Sequence, residues 1–407
     1  MYSAKDIILS EIKPALGCTE PAAIALNAAY LRELIDENSK IKLVINTNLV
    51  KNAMYVPIPN TGRKYGVKLA FALGFVCGKK EKGLNIFEGI DENCLKKAET
   101  IMENIEISII KGHEIFIKSV SGNCEVITEK YHDGITKIKS PYNVLEIKKD
   151  KNTNNQTEII EKWFKNQKFE IIYDLIEKEK NFDYIKDAVD MNLFLAKAGM
   201  NNDCALNVGK KFNDNTLLGK IINVTVSASD ARMEGMSYPA MSLIGSGNHG
   251  ISAILPVWVY GKEKNFEENE ILKSIALSML ITVYVKLYLG RLSPICGAAF
   301  ASGCGVAGAI SYLETGDVKI SAQAVKFVID TINGVVCDGA KMGCSLKVLL
   351  GVESGYKSAI MAMAGEELYE EGVLEKDLTK TIKNLEKIRD GMSDVDGKIV
   401  EIMIDKL

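Results

Sequence analysis

The chain has 407 residues, 47% hydrophobic and 25% charged, with a mean hydropathy of +0.03. That is enough for one large or two to three ordinary domains and too apolar for a disordered scaffold. With 50 basic and 53 acidic residues the net charge is −3, which excludes a global field that would draw in nucleic acid or anionic lipid.

Taken in chain order, residues 5–37 carry apolar residues at helical spacing, broken by Pro14 and by LGCTEPAA at 16–23. Thr19 can cap a helix that opens with Glu20 and Pro21, which puts Cys18 just ahead of a helix N-terminus. Residues 41–49 are rich in β-formers, and GRKYGVKLAFALGFVCG from Gly62 predicts a short buried helix ending at Gly78. Residues 106–138 alternate apolar and polar around Lys111-Gly112 and Ser121-Gly122-Asn123, predicting antiparallel strands joined by turns. The polar tract 149–157 reads as a linker and sets a domain boundary, 1–150 against 151–407.

Beyond it the helical period dominates, over 158–188, 190–212, 250–261, 267–290, 297–313, 320–335, 345–364 and 376–389, while 221–229 fits strand or helix. The longest apolar stretches, 274–285 and 295–312, are respectively too short and too rich in Gly, Ser and Cys for a lipid-facing span and predict buried core helices. The expected fold class is α+β: an N-terminal α/β portion with a mixed or antiparallel sheet, then a predominantly helical C-terminal portion. Nine cysteines, an odd and sparse set, and an N-terminus without a basic-then-apolar leader pattern point to the reducing cytoplasm.

Cys18, Cys296, Cys337 and Cys344 sit beside Gly, Pro or Asp in loop-like settings (LGCTEP, SPICGAA, VVCDGAK, KMGCSLK). Cys77, Cys94, Cys124 and Cys204 lie in apolar or amphipathic runs and read as small buried hydrophobes, with Cys304 intermediate. The spacing does not fit structural zinc. Three thiolates from Cys296, Cys337 and Cys344 without a fourth would suit an iron–sulfur cluster with one iron free of protein, a Lewis acid for a substrate heteroatom; the structural reading of widely spaced cysteines stays open beside it.

The runs KPALGCTEPAAIAL (13–26), KNAMYVPIPNTG (51–62), SASDARMEG (227–235), SGNHGI (246–251), RLSPICG (291–297) and CDGAKMGC (337–344) together resemble the L-cysteine desulfidase family, related to the α-domain of iron–sulfur L-serine dehydratases. The resemblance implies a [4Fe-4S] enzyme, independent of pyridoxal phosphate, that splits L-cysteine into pyruvate, ammonia and sulfide. It makes Cys296, Cys337 and Cys344 the cluster ligands and Cys18 the base, with a helix N-terminus expected to keep the Cys18 thiol pKa low.

For the substrate carboxylate, Arg232 and Arg291 lie inside these blocks, whereas Arg32 and Arg389 are expected to be solvated. Asn48, Asn52 and Thr61 flank the PIPNTG turn, and Ser246 with Asn248 occupies a Gly-punctuated loop; each could contact substrate or build a turn. His113 and His132 are expected to be exposed, and His249 is the histidine able to serve the site. Competing readings are dehydration of L-serine or a related β-substituted amino acid, and a non-catalytic iron–sulfur sensor or sulfur-binding protein. The expected partners are a small amino-acid substrate, with no nucleic acid and no membrane; homo-oligomerisation is compatible with the sequence.

Overall fold

The computed structural model describes residues 2–112, 114–146 and 154–405. It opens with α1 (Ala4–Glu11), β1 (Ile12–Leu16), α2 (Thr19–Arg32), β2 (Ile41–Asn46), α3 (Thr47–Ala53), α4 (Val67–Cys77) and α5 (Glu92–Ile101). Strands β3 (Ile105–Ile110), β4 (Phe116–Ser121), β5 (Cys124–Glu129), β6 (Ile135–Lys139) and β7 (Val144–Glu146) follow. They join β2 in a six-stranded sheet of order β3-β2-β4-β5-β6-β7.

The sheet is mixed. β3 runs parallel to β2, with Ile41 opposite Ile105, while β4 to β7 are antiparallel neighbours. The expected turn at Lys111-Gly112 therefore does not close a hairpin: β2 lies between β3 and β4, so the chain passes it before pairing. The turn at Ser121-Gly122-Asn123 does close one, Ser121 facing Cys124.

One face of the sheet is covered by α2, an Ala-rich helix buried on nearly every side because α4 packs against it from beyond. Asn27 pins the helix to the sheet: its amide donates to Thr128 Oγ1 (2.9 Å) and its carbonyl accepts from Ser119 Oγ (2.6 Å), all three buried. Gly74 is required at the α2–α4 crossing, where a Cβ would stand 2.1 Å from the Ala25 carbonyl oxygen. Just past it, Cys77 is disulfide-bonded to Cys94 of α5. This corrects the reading of both as isolated buried thiols: α4 and α5 pack together and bring their Cα atoms to 5.9 Å, within reach of a bridge.

The remaining chain is helical: α6 (Asn154–Lys165), α7 (Ile171–Lys178), α8 (Lys186–Asn201), α9 (Val208–Lys211) and α10 (Leu217–Glu234), then the short strand β8 (Pro239–Leu243). It continues through α11 (Gly247–Glu263), α12 (Glu268–Leu289), α13 (Phe300–Thr315), α14 (Val318–Ile332), α15 (Cys344–Met363), α16 (Leu378–Gly391) and α17 (Val395–Ile404). The ambiguous 221–229 segment is the middle of α10. Helix α12 is long and apolar enough to cross a membrane by length and composition, but 89% of its most apolar window is buried inside the protein. It is the central helix of the second core, packed on α11, α13 and α16.

The architecture is α+β, a sheet-bearing N-terminal part followed by a mostly helical one. Two exchanges tie the parts together. Ala4, Ile7 and Ile8 of α1 enter the helical core, and β1 pairs antiparallel with β8; conversely α17 returns to pack on α3, where Lys51 and Asp396 form an ion pair with both side chains buried. Residues 149–153 of the expected linker lie outside the described residues, and 154–157 begin α6. Arg32 and Arg389, expected to be solvated, instead bind backbone: Arg32 donates to the carbonyls of Phe75 (3.1 Å) and Val76, and Arg389 to that of Tyr288 (2.6 Å). The α4 and α12 C-termini leave those oxygens unpaired within the helix, and a guanidinium satisfies them.

Candidate active site

One cavity collects most of the chemistry. Its walls include Cys18, Glu20, Asn52, Arg232, Ser246, Asn248, His249, Lys286, Arg291, Cys296, Cys337 and Cys344, with apolar surface from Met233, Leu292, Ile295 and Ala340.

The cysteines reach it by different routes. After β1, Gly17 turns the chain at φ +73°, a conformation glycine adopts freely, and Cys18 becomes the N-cap residue of α2. Cys296 and Cys337 are far apart in sequence but zipped together by backbone: Cys296 N–H donates to Val335 O and Cys337 N–H to Pro294 O, each 2.7 Å. Cys344 then opens α15. All four are free thiols. Cys304 lies elsewhere, fully buried within α13 and not part of the cavity wall.

Four helices begin at this cavity: α2 behind Cys18, α11 behind Ser246, α13 behind the Cys296–Ala299 segment and α15 behind Gly343. None has a side-chain cap. By contrast α1, α3, α5, α10, α14 and α16 are capped by Ser3, Asn46, Asp91, Thr216, Asp317 and Asp377. Each turns a positive dipole end toward the cavity, which favours negative charge, although the first amides of α13 and α15 already donate to backbone carbonyls (Phe300 to Cys296, Ser302 to Gly297, Leu346 to Gly343). The turn that aims α11 is strained: Ile244, a β-branched residue, takes φ 42°, followed by Gly245 at φ 78°.

Arg232, near the end of α10, is 4% exposed, and its Nε has no hydrogen-bond partner. Arg291 is otherwise engaged. Its Nη2 binds Glu11 Oε1 and Oε2 (2.9 and 2.8 Å) and Glu161, and its guanidinium lies over the Tyr131 ring. Lys286 of α12 is buried, its ammonium donating to the Arg291 carbonyl at 3.2 Å; burial lowers its pKa to about 8.

His249 Nδ1 faces the Leu243 carbonyl at 3.3 Å, so the proton belongs on Nδ1 and Nε2 is the acceptor. Burial, with Lys286 adding to it, holds the ring neutral. Asn248 accepts from Ser229 Oγ (3.4 Å), and its amide reaches Met233 Sδ (3.8 Å). Thr61 and Asn48 do not line the cavity: the Thr61 hydroxyl binds its own turn at Ile58 O and Lys64 O, and Asn48 is fully buried with both amide atoms unpartnered.

Electrostatics correct the expected Cys18 thiolate. Burial pushes its thiol up to about 11, outweighing the Arg232 charge beside it, while Glu20 adds to the rise. Burial likewise raises Cys296 and Cys344 to about 12, the neighbouring Cys337 contributing to both. Neutral thiols in a dry, electropositive pocket are poised to lose protons to a metal, which deprotonates the thiols that bind it. Among the described residues no three His, Cys, Asp or Glu side chains gather as a single-ion site would need. Cys296, Cys337 and Cys344 line the cavity as free thiols, the donor type that iron–sulfur clusters take.

Three residues escaped the sequence reading, Lys286 among them. Glu20 looked like a helix-start acid but lines the cavity, with Oε1 accepting from Asn52 Nδ2 at 3.0 Å. His132, expected to be exposed, is 4% exposed, with Nε2 3.9 Å from Glu20 Oε1. The packing of the β5–β6 connection against the start of α2 buries it, which no local pattern reveals. His113 lies outside the described residues.

Residues 81–401 match the serine dehydratase alpha chain family. Relatives include UPF0597 proteins of Nautilia profundicola, 61% identical over all of both chains; of Desulfatibacillum aliphaticivorans, 32% identical over 100% of this chain and 98% of that one; and of Caldanaerobacter subterraneus, 34% identical over 98% of each. The matched span contains Arg232, His249 and the three clustered cysteines, whereas Cys18, Glu20 and Asn52 come from the segment ahead of it. The chain belongs to the serine dehydratase alpha chain family.

Proposed function

We propose that the protein is an iron–sulfur lyase that splits L-cysteine into pyruvate, ammonia and sulfide without pyridoxal phosphate. The observation that carries this reading is the meeting of three unpaired thiols, a fourth thiol on α2 and four uncapped helix N-termini at one cavity. Cys296, Cys337 and Cys344 would hold a [4Fe-4S] cluster, whose iron without a protein ligand supplies a sulfur-seeking Lewis acid.

The chain's own residues do the rest. Arg232 takes the substrate carboxylate, since its buried Nε has no other partner. The open amides at the start of α11 add to that charge. Cys18 takes the Cα proton; Arg232 favours its thiolate, and because burial outweighs that charge the thiol gives up its proton only once the site is filled. Arg291, held by Glu11 and Glu161, fixes the wall beside Lys286. Met233, Leu292, Ile295 and Ala340 exclude water from that proton transfer. We place this chemistry in the cytoplasm, where the Cys77–Cys94 bridge is an exception to the reducing surroundings, with the amino acid as the protein's small-molecule partner.

Anaerobic reconstitution with iron and sulfide, followed by L-cysteine, tests the reading. Iron–sulfur charge-transfer absorption with pyruvate and sulfide in equal amounts is expected. The name of the matched family favours L-serine as the second substrate to try. Absorption with pyruvate from L-serine alone would move the reading to a dehydratase. Absorption with no product from either would leave a sensor or sulfur-binding role, and failure to assemble any cluster would return the thiols to structure.

A further inference from the structure

We propose that Glu20 recognises the substrate's α-ammonium and so restricts the site to α-amino acids; the proposal rests on the lyase reading above. Glu20 is the single carboxylate among the described residues lining the cavity, which otherwise carries Arg232, Lys286, Arg291 and four helix N-termini. In such a wall a bound cation finds an opposite side-chain charge only at Glu20.

The carboxylate is also available. Oε1 accepts one hydrogen bond, from Asn52. Thr19 Oγ1 lies 3.1 Å from Oε2 and 2.8 Å from the Gly245 carbonyl; with one proton to give, the hydroxyl serves the shorter contact rather than Oε2. His132 Nε2 lies 3.9 Å from Oε1, beyond hydrogen-bond distance, and so occupies neither oxygen. Burial disfavours the ionised carboxylate, but His132 and Arg232 more than offset it, so Glu20 is held ionised.

Its location suits a zwitterion. Arg232, Glu20 and Cys18 line the same cavity, with Glu20 in the first turn of α2 two residues beyond Cys18. An amino acid with its carboxylate at Arg232 and its ammonium at Glu20 therefore presents Cα, the carbon between them, to Cys18. Asn52 completes the arrangement: its Nδ2 holds Glu20, and while Cys337 keeps its proton the Asn52 Oδ1 also accepts from that thiol at 3.9 Å.

The test is calorimetric binding to the anaerobically reconstituted protein of L-cysteine and of 3-mercaptopropionate, which lacks only the amino group. The wild type is expected to favour L-cysteine by about 10- to 100-fold, as for a lost charge-assisted hydrogen bond. Glu20→Gln should abolish that preference while leaving 3-mercaptopropionate affinity and cluster absorption unchanged. Equal affinities in the wild type would overturn the proposal without any variant. So would a Glu20→Gln protein that loses turnover but keeps the preference, as a proton-transfer role requires. If L-serine is the substrate, L-serine against 3-hydroxypropionate gives the same comparison, so the choice of leaving group and the role of Glu20 fail separately.

Discussion

Cys18 shows how one residue's place and its chemistry can diverge. Its position at a helix N-terminus was legible, yet burial sets the thiol at about 11, where the dipole alone would lower it. The Cys18→Ser variant is expected to assemble the same iron–sulfur absorption and lose at least about 100-fold in turnover, the scale of a lost general base; missing absorption would instead make Cys18 a ligand. Glu11 carries a pH signature. Burial raises its pKa from 4.5 to about 8, outweighing the opposing Arg291 charge, with the adjoining Glu161 adding to the rise. The native protein thus binds a proton there that the unfolded chain releases, so this contribution to stability is full below pH 4.5 and is lost as pH rises through about 8. Denaturant titrations at pH 5 and 8 should show the wild type losing more stability over that interval than Glu11→Gln; equal losses would mean that Glu11 is ionised in the fold.

At the scale of elements, the crossing of α2 with α4 decides where Cys18 and Glu20 point. Adding a methyl at Gly74 drives Cβ to 2.1 Å from the Ala25 carbonyl oxygen. Ala in place of Gly gains about 1 kcal/mol in helix propensity, but overpacking costs about 1–3 kcal/mol and forces backbone apart. Gly74→Ala should therefore lower the melting temperature and also weaken substrate binding through the displaced α2; a raised melting temperature would mean that the helices adjust freely. None of the four helices that start at the cavity has a side-chain cap, but α4, α7, α8, α9 and α17 lack one elsewhere, so a missing cap marks the site only together with the residues that line it.

For the whole molecule, the two exchanges of chain ends make the parts depend on one another. The Lys51–Asp396 pair, 1% exposed on both sides, is the buried link between α3 and α17. Removing one partner strands a charge, so Lys51→Met should cost about 3–5 kcal/mol in chemical denaturation. Lys51→Met with Asp396→Leu should recover most of that loss, because two apolar groups replace a desolvated pair. Non-recovery would assign the loss to the α3–α17 packing instead. The same region backs the cluster turn: a Cβ on Gly339, between Cys337 and Cys344, would meet the Lys51 carbonyl oxygen at 2.3 Å.

Much of this protein is local and hence readable from its residues. Helical period placed α11 to α16 and the start of α2 near Cys18, since a periodic apolar face must be buried and turn residues must end it. Motif order pointed to Cys18, Cys296, Cys337 and Cys344, and it drew attention to Arg232. Tertiary structure decided the rest. The parallel β2–β3 pairing, the Cys77–Cys94 bond and the return of α17 to α3 each join segments distant in sequence, and no short-range period encodes their partner. The same holds for charge. Glu20 and His132 are ordinary residues in their own segments, and Arg291 reads as a free guanidinium until Glu11 and Glu161 close on it. Sequence supplies the groups, while burial and neighbours brought in from afar decide which of them stay charged and which remain open to a ligand.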